Sequence, residues 1–144
     1  MTVKQILETK GSTVFTVDPN EVIRIALRKF RMHHIGALVV TDADGHLLGT
    51  FSERDLVKGL LVWGNRMLDL RVEVAMATAV PTCAPGDSVA RVMQTMTDQR
   101  TRHLPVIEGG VVAGLISIGD VVKSRLDDVE LENRVLRDMA RARS

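Results

Sequence analysis

The sequence predicts a mixed α/β (α+β) fold, in which two β-α-β-β-α repeats pack sheet to sheet and a C-terminal helix follows. Three observations lead to it. The run Gly49-Thr50-Phe51-Ser52-Glu53-Arg54-Asp55 returns as Gly114-Leu115-Ile116-Ser117-Ile118-Gly119-Asp120, with Gly, Ser and Asp at matching places. Around it, Thr16 matches Thr82, Pro19 matches Pro85, Val39-Val40 matches Val106-Ile107 and Val57-Lys58 matches Val122-Lys123. Self-similarity of this kind marks a duplicated structural unit. Finally, a unit of roughly 55 residues is too small to bury a sufficient core alone, so the two copies must cover each other.

The elements follow in chain order. Residues 1–12 form a helical lead-in and residues 13–66 the first repeat. After Thr16 and Pro19, the apolar residues Ile23, Ala26, Leu27 and Phe30 recur on one helical face. The β-rich runs 37–41 and 47–51 flank Asp42-Ala43-Asp44-Gly45, whose residue types tolerate a tight reversal, so a hairpin is expected. The second run leads straight into the helix that carries Ser52 and Asp55. Residues 67–79 read as a linker helix, in which Leu70-Arg71-Val72-Glu73-Val74-Ala75-Met76 echoes the stretch from Val3 to Lys10.

Residues 80–126 repeat the plan. Val89, Val92, Met93 and Met96 give the helical face, and the runs 104–107 and 111–116 flank Glu108-Gly109-Gly110. Residues 127–144 continue as a charged C-terminal helix. Val122, Leu126, Val129, Asn133, Leu136 and Ala140 alternate at steps of four and three, the a/d seam of a coiled coil. Asn at an a-type position fixes register in a two-stranded coil. Self-association through this helix and packing back on its own domain are both open.

Composition narrows the function. The 144 residues are 45% apolar and 26% charged, which suits a globular chain. A net charge of +1, without a long run of like charge, argues against a nucleic-acid partner. Aromatic residues make up 3% of the chain, too few for base-stacking platforms. No apolar stretch reaches the ~18 residues of a membrane span, and the start lacks a secretory apolar region. Cys83 is alone, which fits a reducing, cytoplasmic setting and a small buried apolar role.

The chemistry concentrates at the duplicated motif. Ser52 and Ser117 suit helix N-caps, with Asp55 and Asp120 complementing the helix start. The same helix-start amides favour phosphate, and an Asp one turn in can accept both hydroxyls of a ribose. Gly49 and Gly114 read as glycines that let a ligand approach the strand end. Arg54 offers a phosphate fork in the first copy, while the second has Arg100, Arg102 and His103 before its strand. Gly36-Ala37 leaves room for a flat ring, with Ile35 as an apolar wall. His33 and His34 point apart on a helix and have no zinc-site partners, so no metal is expected. No hydrolase elbow, Walker loop, His-Glu-x-x-His or Cys-x-x-Cys occurs, and nothing tunes Asp55 or Asp120 for acid-base work, so the chain does not read as an enzyme.

With both units laid out, the chain resembles a tandem pair of cystathionine-β-synthase (CBS) domains, a Bateman module, from about Thr13 to Leu126. The likeness rests on both Gly-x-x-Ser-x-x-Asp motifs, Ile35-Gly36-Ala37-Leu38-Val39-Val40 and Arg102-His103-Leu104-Pro105-Val106-Ile107. Ser52-Glu53-Arg54-Asp55-Leu56-Val57 is similar to small stand-alone bacterial CBS pairs.

The resemblance implies a pair with pseudo-twofold symmetry and two clefts for adenine nucleotides, with Asp55 and Asp120 on ribose and Ser52 and Ser117 toward phosphate. It implies that one cleft joins Ser117, Asp120, Arg102 and His103 with Thr16 and Ile35-Gly36-Ala37. The other would join Ser52, Arg54 and Asp55 with the strand around Thr82, and would be the weaker or differently selective one. AMP is the foremost ligand, with ADP, ATP or NAD(H) as the others, and no metal is required. The resemblance further implies a homodimer and a non-catalytic sensor acting on an unknown protein effector. A structural dimerisation module without ligand is the alternative.

Overall fold

A computed structural model of the chain describes residues 1–143. The order of elements is α1 (Val3–Lys10), β1 (Thr16–Val17), α2 (Ile23–His33), β2 (Ala37–Thr41), β3 (Leu47–Ser52), α3 (Glu53–Trp63), a 3-10 turn (Gly64–Asp69) and α4 (Val72–Ala75). Then come α5 (Val89–Gln99), β4 (His103–Glu108), β5 (Val111–Ser117) and α6 (Ile118–Arg143). In the first repeat β1 runs parallel to β2, and β2 antiparallel to β3, giving the sheet order β1-β2-β3. In the second, β4 and β5 form the hairpin, and the strand expected around Thr82 shrinks to a single parallel bridge between Cys83 and Val106.

Each repeat has its own apolar core. Ile23, Ala26 and Phe30 of α2 meet Leu38, Val40 and Phe51 of the sheet, where the Phe30 and Phe51 rings stack at 5.8 Å. Val89, Val92 and Met96 of α5 meet Leu104, Val106 and Ile116 in the second core. The i, i+3, i+7 spacing visible in the sequence is therefore the buried face of each helix. Both helices stop at the same place, where His34 and Arg100 each adopt a left-handed conformation with φ of 52°.

The two lead-in segments are exchanged between the cores. α1, which precedes the first repeat, buries Val3 and Ile6 in the core of the second. α4, which precedes the second repeat, buries Val72 in the core of the first. Thr2 caps α1 through reciprocal bonds with Gln5, and backbone bonds from Val3 N to Asp87 O and Lys4 N to Pro85 O, both 2.9 Å, fasten it. The matching bonds on α4 are Val72 N to Glu21 O at 2.8 Å and Glu73 N to Pro19 O at 3.0 Å.

This exchange corrects the reading of Gly49 and Gly114 as points of ligand approach. A Cβ on Gly49 would overlap the carbonyl oxygen of Ala77, in the chain just after α4. A Cβ on Gly114 would stand 2.7 Å from Leu7 Cδ2 of α1. Both glycines make room for the exchanged segments, so packing and not a ligand explains them.

The C-terminal helix settles one open question. α6 buries Val121 and Ser124 and then leaves the domain. Val122, Leu126, Val129 and Leu136 of the seam are all exposed, Leu136 at 63%, so the seam does not pack back on its own repeat.

Candidate functional site

Ser52 is the last residue of β3 and the N-cap of α3, because its extended backbone (φ −119°, ψ 168°) turns the chain into the helix. Its hydroxyl accepts the Asp55 N–H at 3.3 Å, while Asp55 Oδ2 accepts the Ser52 N–H and O–H, both at 2.9 Å. The capping box is thus complete. Ser117 and Asp120 reproduce it at the start of α6, with Asp120 N to Ser117 Oγ at 3.2 Å and Ser117 N to Asp120 Oδ2 at 2.8 Å. The shared sequence yields a shared local geometry.

A cleft of about 740 Å³ opens at the first motif. One wall is the start of α3, with Ser52, Glu53, Arg54, Asp55 and, one turn further on, Lys58. Gly36 and Ala37 at the start of β2 lie beside it. The facing wall is the segment 99–103, including Arg100, Arg102 and His103, and the linker supplies Ala77, Ala79, Val80 and Pro81. Arg54 Nη1 donates to Arg100 O at 3.0 Å and ties the two walls together. Cations therefore gather around a helix start that already favours anions.

This grouping differs from the one the resemblance implied. Gly36 and Ala37 share the cleft of Ser52 and Asp55, and not that of Ser117 and Asp120. The reason is strand pairing: β2 and β3 are antiparallel and Ala37 is the register partner of Ser52. Arg102 and His103 also line this cleft. Thr16, Ile35 and Thr82 are not among its walls. Thr16 gives its carbonyl to Lys29 Nζ at 2.7 Å, Ile35 packs on the first core, and Thr82 is exposed, leaving its neighbour Pro81 to face the cleft. Lys58 was passed over in the sequence. Its signal was the position four residues after Arg54, on the same helical face.

Ser117 and Asp120 stand apart from these walls. Lys10 Nζ, at the end of α1, donates to Asp120 Oδ2 at 2.7 Å and to Leu115 O at 2.9 Å. Burial alone would raise the Asp120 carboxyl, but the bonds from Lys10 and Ser117 outweigh it and hold the group below its ordinary range.

His103 sits between the two motifs. It is the register partner of Ser117, and it feels Asp120 and Lys10 on one side and Glu53 and Arg102 on the other. Burial dominates and lowers its pKa from the ordinary 6.5. The folded chain keeps His103 neutral while the unfolded chain takes up a proton at its ordinary pKa. The stabilisation is present above pH 6.5 and is lost as pH falls below it. Melting temperatures between pH 8 and pH 5.5 should fall on acidification, and His103→Asn should flatten that fall.

Other reactive side chains are accounted for locally. Burial pushes the Cys83 thiol up to about 12, and its sulfur lies 3.7 Å from Pro105 O, so it is no nucleophile at neutral pH. His33 stacks on Phe15 with ring centroids 3.9 Å apart. Asp42, Asp44 and His46 gather in the β2–β3 turn, where Asp42 Oδ1 accepts the N–H groups of Asp44 and His46, both at 2.9 Å.

Two duplicated units with exchanged lead-ins, and a cleft between a capped helix start and a cationic wall, define a tandem module of paired domains. The family model for the CBS domain matches residues 3–62 and 70–127, and the chain belongs to that family as a tandem pair. It is 35% identical over 126 residues to an uncharacterized 17.7 kDa protein of Acidianus ambivalens, covering 87% of this chain and 73% of that one. The crystal structure of the CBS-domain containing protein ATU1752 from Agrobacterium tumefaciens is 48% identical, with a TM-score of 0.83 over 86% of this chain and 92% of that one. The CBS domain pair of protein MJ0100, solved in complex with 5'-methylthioadenosine and S-adenosyl-L-methionine, is 25% identical, with a TM-score of 0.76 over 90% and 98% of the two chains. No helix among the described residues is long and apolar enough to cross a membrane.

Proposed function

We propose that the chain is a non-catalytic regulatory module that binds an adenine nucleotide in the first-motif cleft and passes its occupancy to dimer shape or a protein partner. The observation that carries this reading is the joining of a capped helix start, a carboxylate and a cationic wall around one open cleft. Phosphate is matched by the α3 amides with Arg54, Lys58 and Arg102, and the ribose diol by the Asp55 carboxylate. Gly36, Ala37, Val80 and Pro81 give a small, largely apolar place for the base. The adenosine-type ligands of the MJ0100 pair support the same ligand class here. AMP is the foremost candidate, and ADP, ATP and NAD(H) share the required groups.

A homodimer is part of the reading. Leu61 on α3 is 84% exposed and Val57, Leu60 and Val62 are exposed beside it, as are the seam residues of α6. Apolar surface gathered on two helices of a small chain fits a second copy.

Thermal unfolding with AMP, ADP, ATP, NAD and NADH tests the ligand. A nucleotide at 100 times its Kd should add roughly 2.7 kcal/mol of stability. Absence of any shift at millimolar levels with all five would remove the reading. The complete capping boxes favour one other reading, a dimerisation module in which both serines are caps only. It expects Ser117→Ala to cost ~1 kcal/mol and nucleotides to do nothing.

A further inference from the structure

The two Ser-x-x-Asp motifs match in backbone but not in what meets their carboxylates. Asp55 meets no cation among the described residues, and its cleft is open. Asp120 is held by Lys10, whose side chain is 35% exposed against 20% for the carboxylate's own. Lys10 is well placed to stay there. α1 is anchored by Val3, Ile6 and Leu7 and by backbone bonds to Asp87 and Pro85, which set its last turn against the second repeat.

The matching part of the linker explains why the first motif has no such cation. Val72 and Glu73 make the same kind of anchor as Val3 and Lys4. The linker then leaves its helix after Ala75 and runs extended. Ala77 N donates to Thr50 O at 2.9 Å, so a backbone amide satisfies the carbonyl that matches Leu115 O. Continuing the same register sets Ala79 against Lys10, and Ala79 lines the open cleft.

We propose that Lys10 is the residue that makes the two sites unequal: its ammonium is an internal counter-ion that closes the second motif to a ribose diol until it is displaced. This rests on the nucleotide reading above. A diol donates two O–H groups to a carboxylate, and Lys10 already donates to one oxygen of Asp120 while neutralising its charge. A ligand at the second motif must offset that ion pair before it gains anything. A ligand at Asp55 has no such competitor.

Isothermal titration of the full chain with AMP and, in parallel, ATP tests this. The unsubstituted chain should show one binding event per chain. Lys10→Ala should reveal a second event, at least about fivefold tighter than the unsubstituted chain allows, the scale of a partly exposed ion pair. Lys10→Arg should keep the second motif closed, and Lys10→Ala combined with Asp120→Ala should return to one event. Unchanged circular dichroism at a titration temperature where every variant is fully folded would show that α1 still docks. Two equal events in the unsubstituted chain, or titrations of Lys10→Ala identical to it, would overturn the latch and leave the first site standing. Weaker binding in Lys10→Ala would overturn it too, by making Lys10 a ligand for phosphate. No binding by any of the chains would remove the nucleotide reading and the latch together.

Discussion

Gly49→Ala is expected to destabilise the fold by about 2–3 kcal/mol, the range for forcing a methyl into a fully packed place. The added Cβ would overlap the carbonyl oxygen of Ala77, which is backbone and has little room to yield. That oxygen also accepts the Thr50 N–H at 3.0 Å, and Ala77 N donates back to Thr50 O at 2.9 Å. Relieving the overlap must lengthen this reciprocal pair, leaving groups beneath a buried strand unsatisfied. Because Thr50 and Ala77 both line the cleft, ligand response should weaken with stability. Gly114→Ala is the control. It meets Leu7 Cδ2, the far end of a flexible side chain, and should cost about 1 kcal/mol. Urea unfolding should show a lower midpoint for Gly49→Ala with an unchanged slope. Equal stability of the two variants would mean that the linker does not press on β3 as described.

Asp55→Ala is expected to weaken AMP by roughly 10- to 150-fold, the equivalent of hydrogen bonds to a charged group worth about 1.5–3 kcal/mol. The same variant loses half of the capping box of α3 and should melt earlier, by about 1 kcal/mol of stability. Two consequences of one substitution must be separated. Asp55→Asn keeps an oxygen that can accept from Ser52 but removes the charge, so it should hold most of the stability and still lose most of the affinity. Titration at a temperature where both variants are fully folded reads the affinity alone. Retained affinity in Asp55→Ala would assign the carboxylate to the cap and not to the ligand.

Much of the fold was written locally. The periodic apolar residues of α2 and α5, the turn residues between the hairpin strands and the Ser-x-x-Asp caps each act within a few positions, so single-sequence patterns carry them. The grouping of the cleft was less legible. The resemblance groups Gly36 and Ala37 with Ser117 and Asp120, whereas the antiparallel register sets Ala37 against Ser52, a pairing that no local pattern announces. Gly49 and Gly114 looked like openings for a ligand, since a glycine repeated in both copies gives no hint of what fills its empty side. The answers, Ala77 and Leu7, lie far away in the chain. Lys10 gave no sequence signal at all: its partner Asp120 comes from the opposite end of the domain pair, brought near by the docking of α1.

The exchange of α1 and α4 also sets the order in which the protein can be completed. α1 is synthesised before its core partners, Val89, Leu104, Ile116 and Val121, which all lie in the second repeat. Until that repeat exists, Val3 and Ile6 have nowhere to go, and the loop they must close spans almost the whole pair. The first repeat, by contrast, has all its core and strand partners once the chain through Ala77 has emerged. α1 is therefore made before the first repeat yet finds its place only once the second has formed.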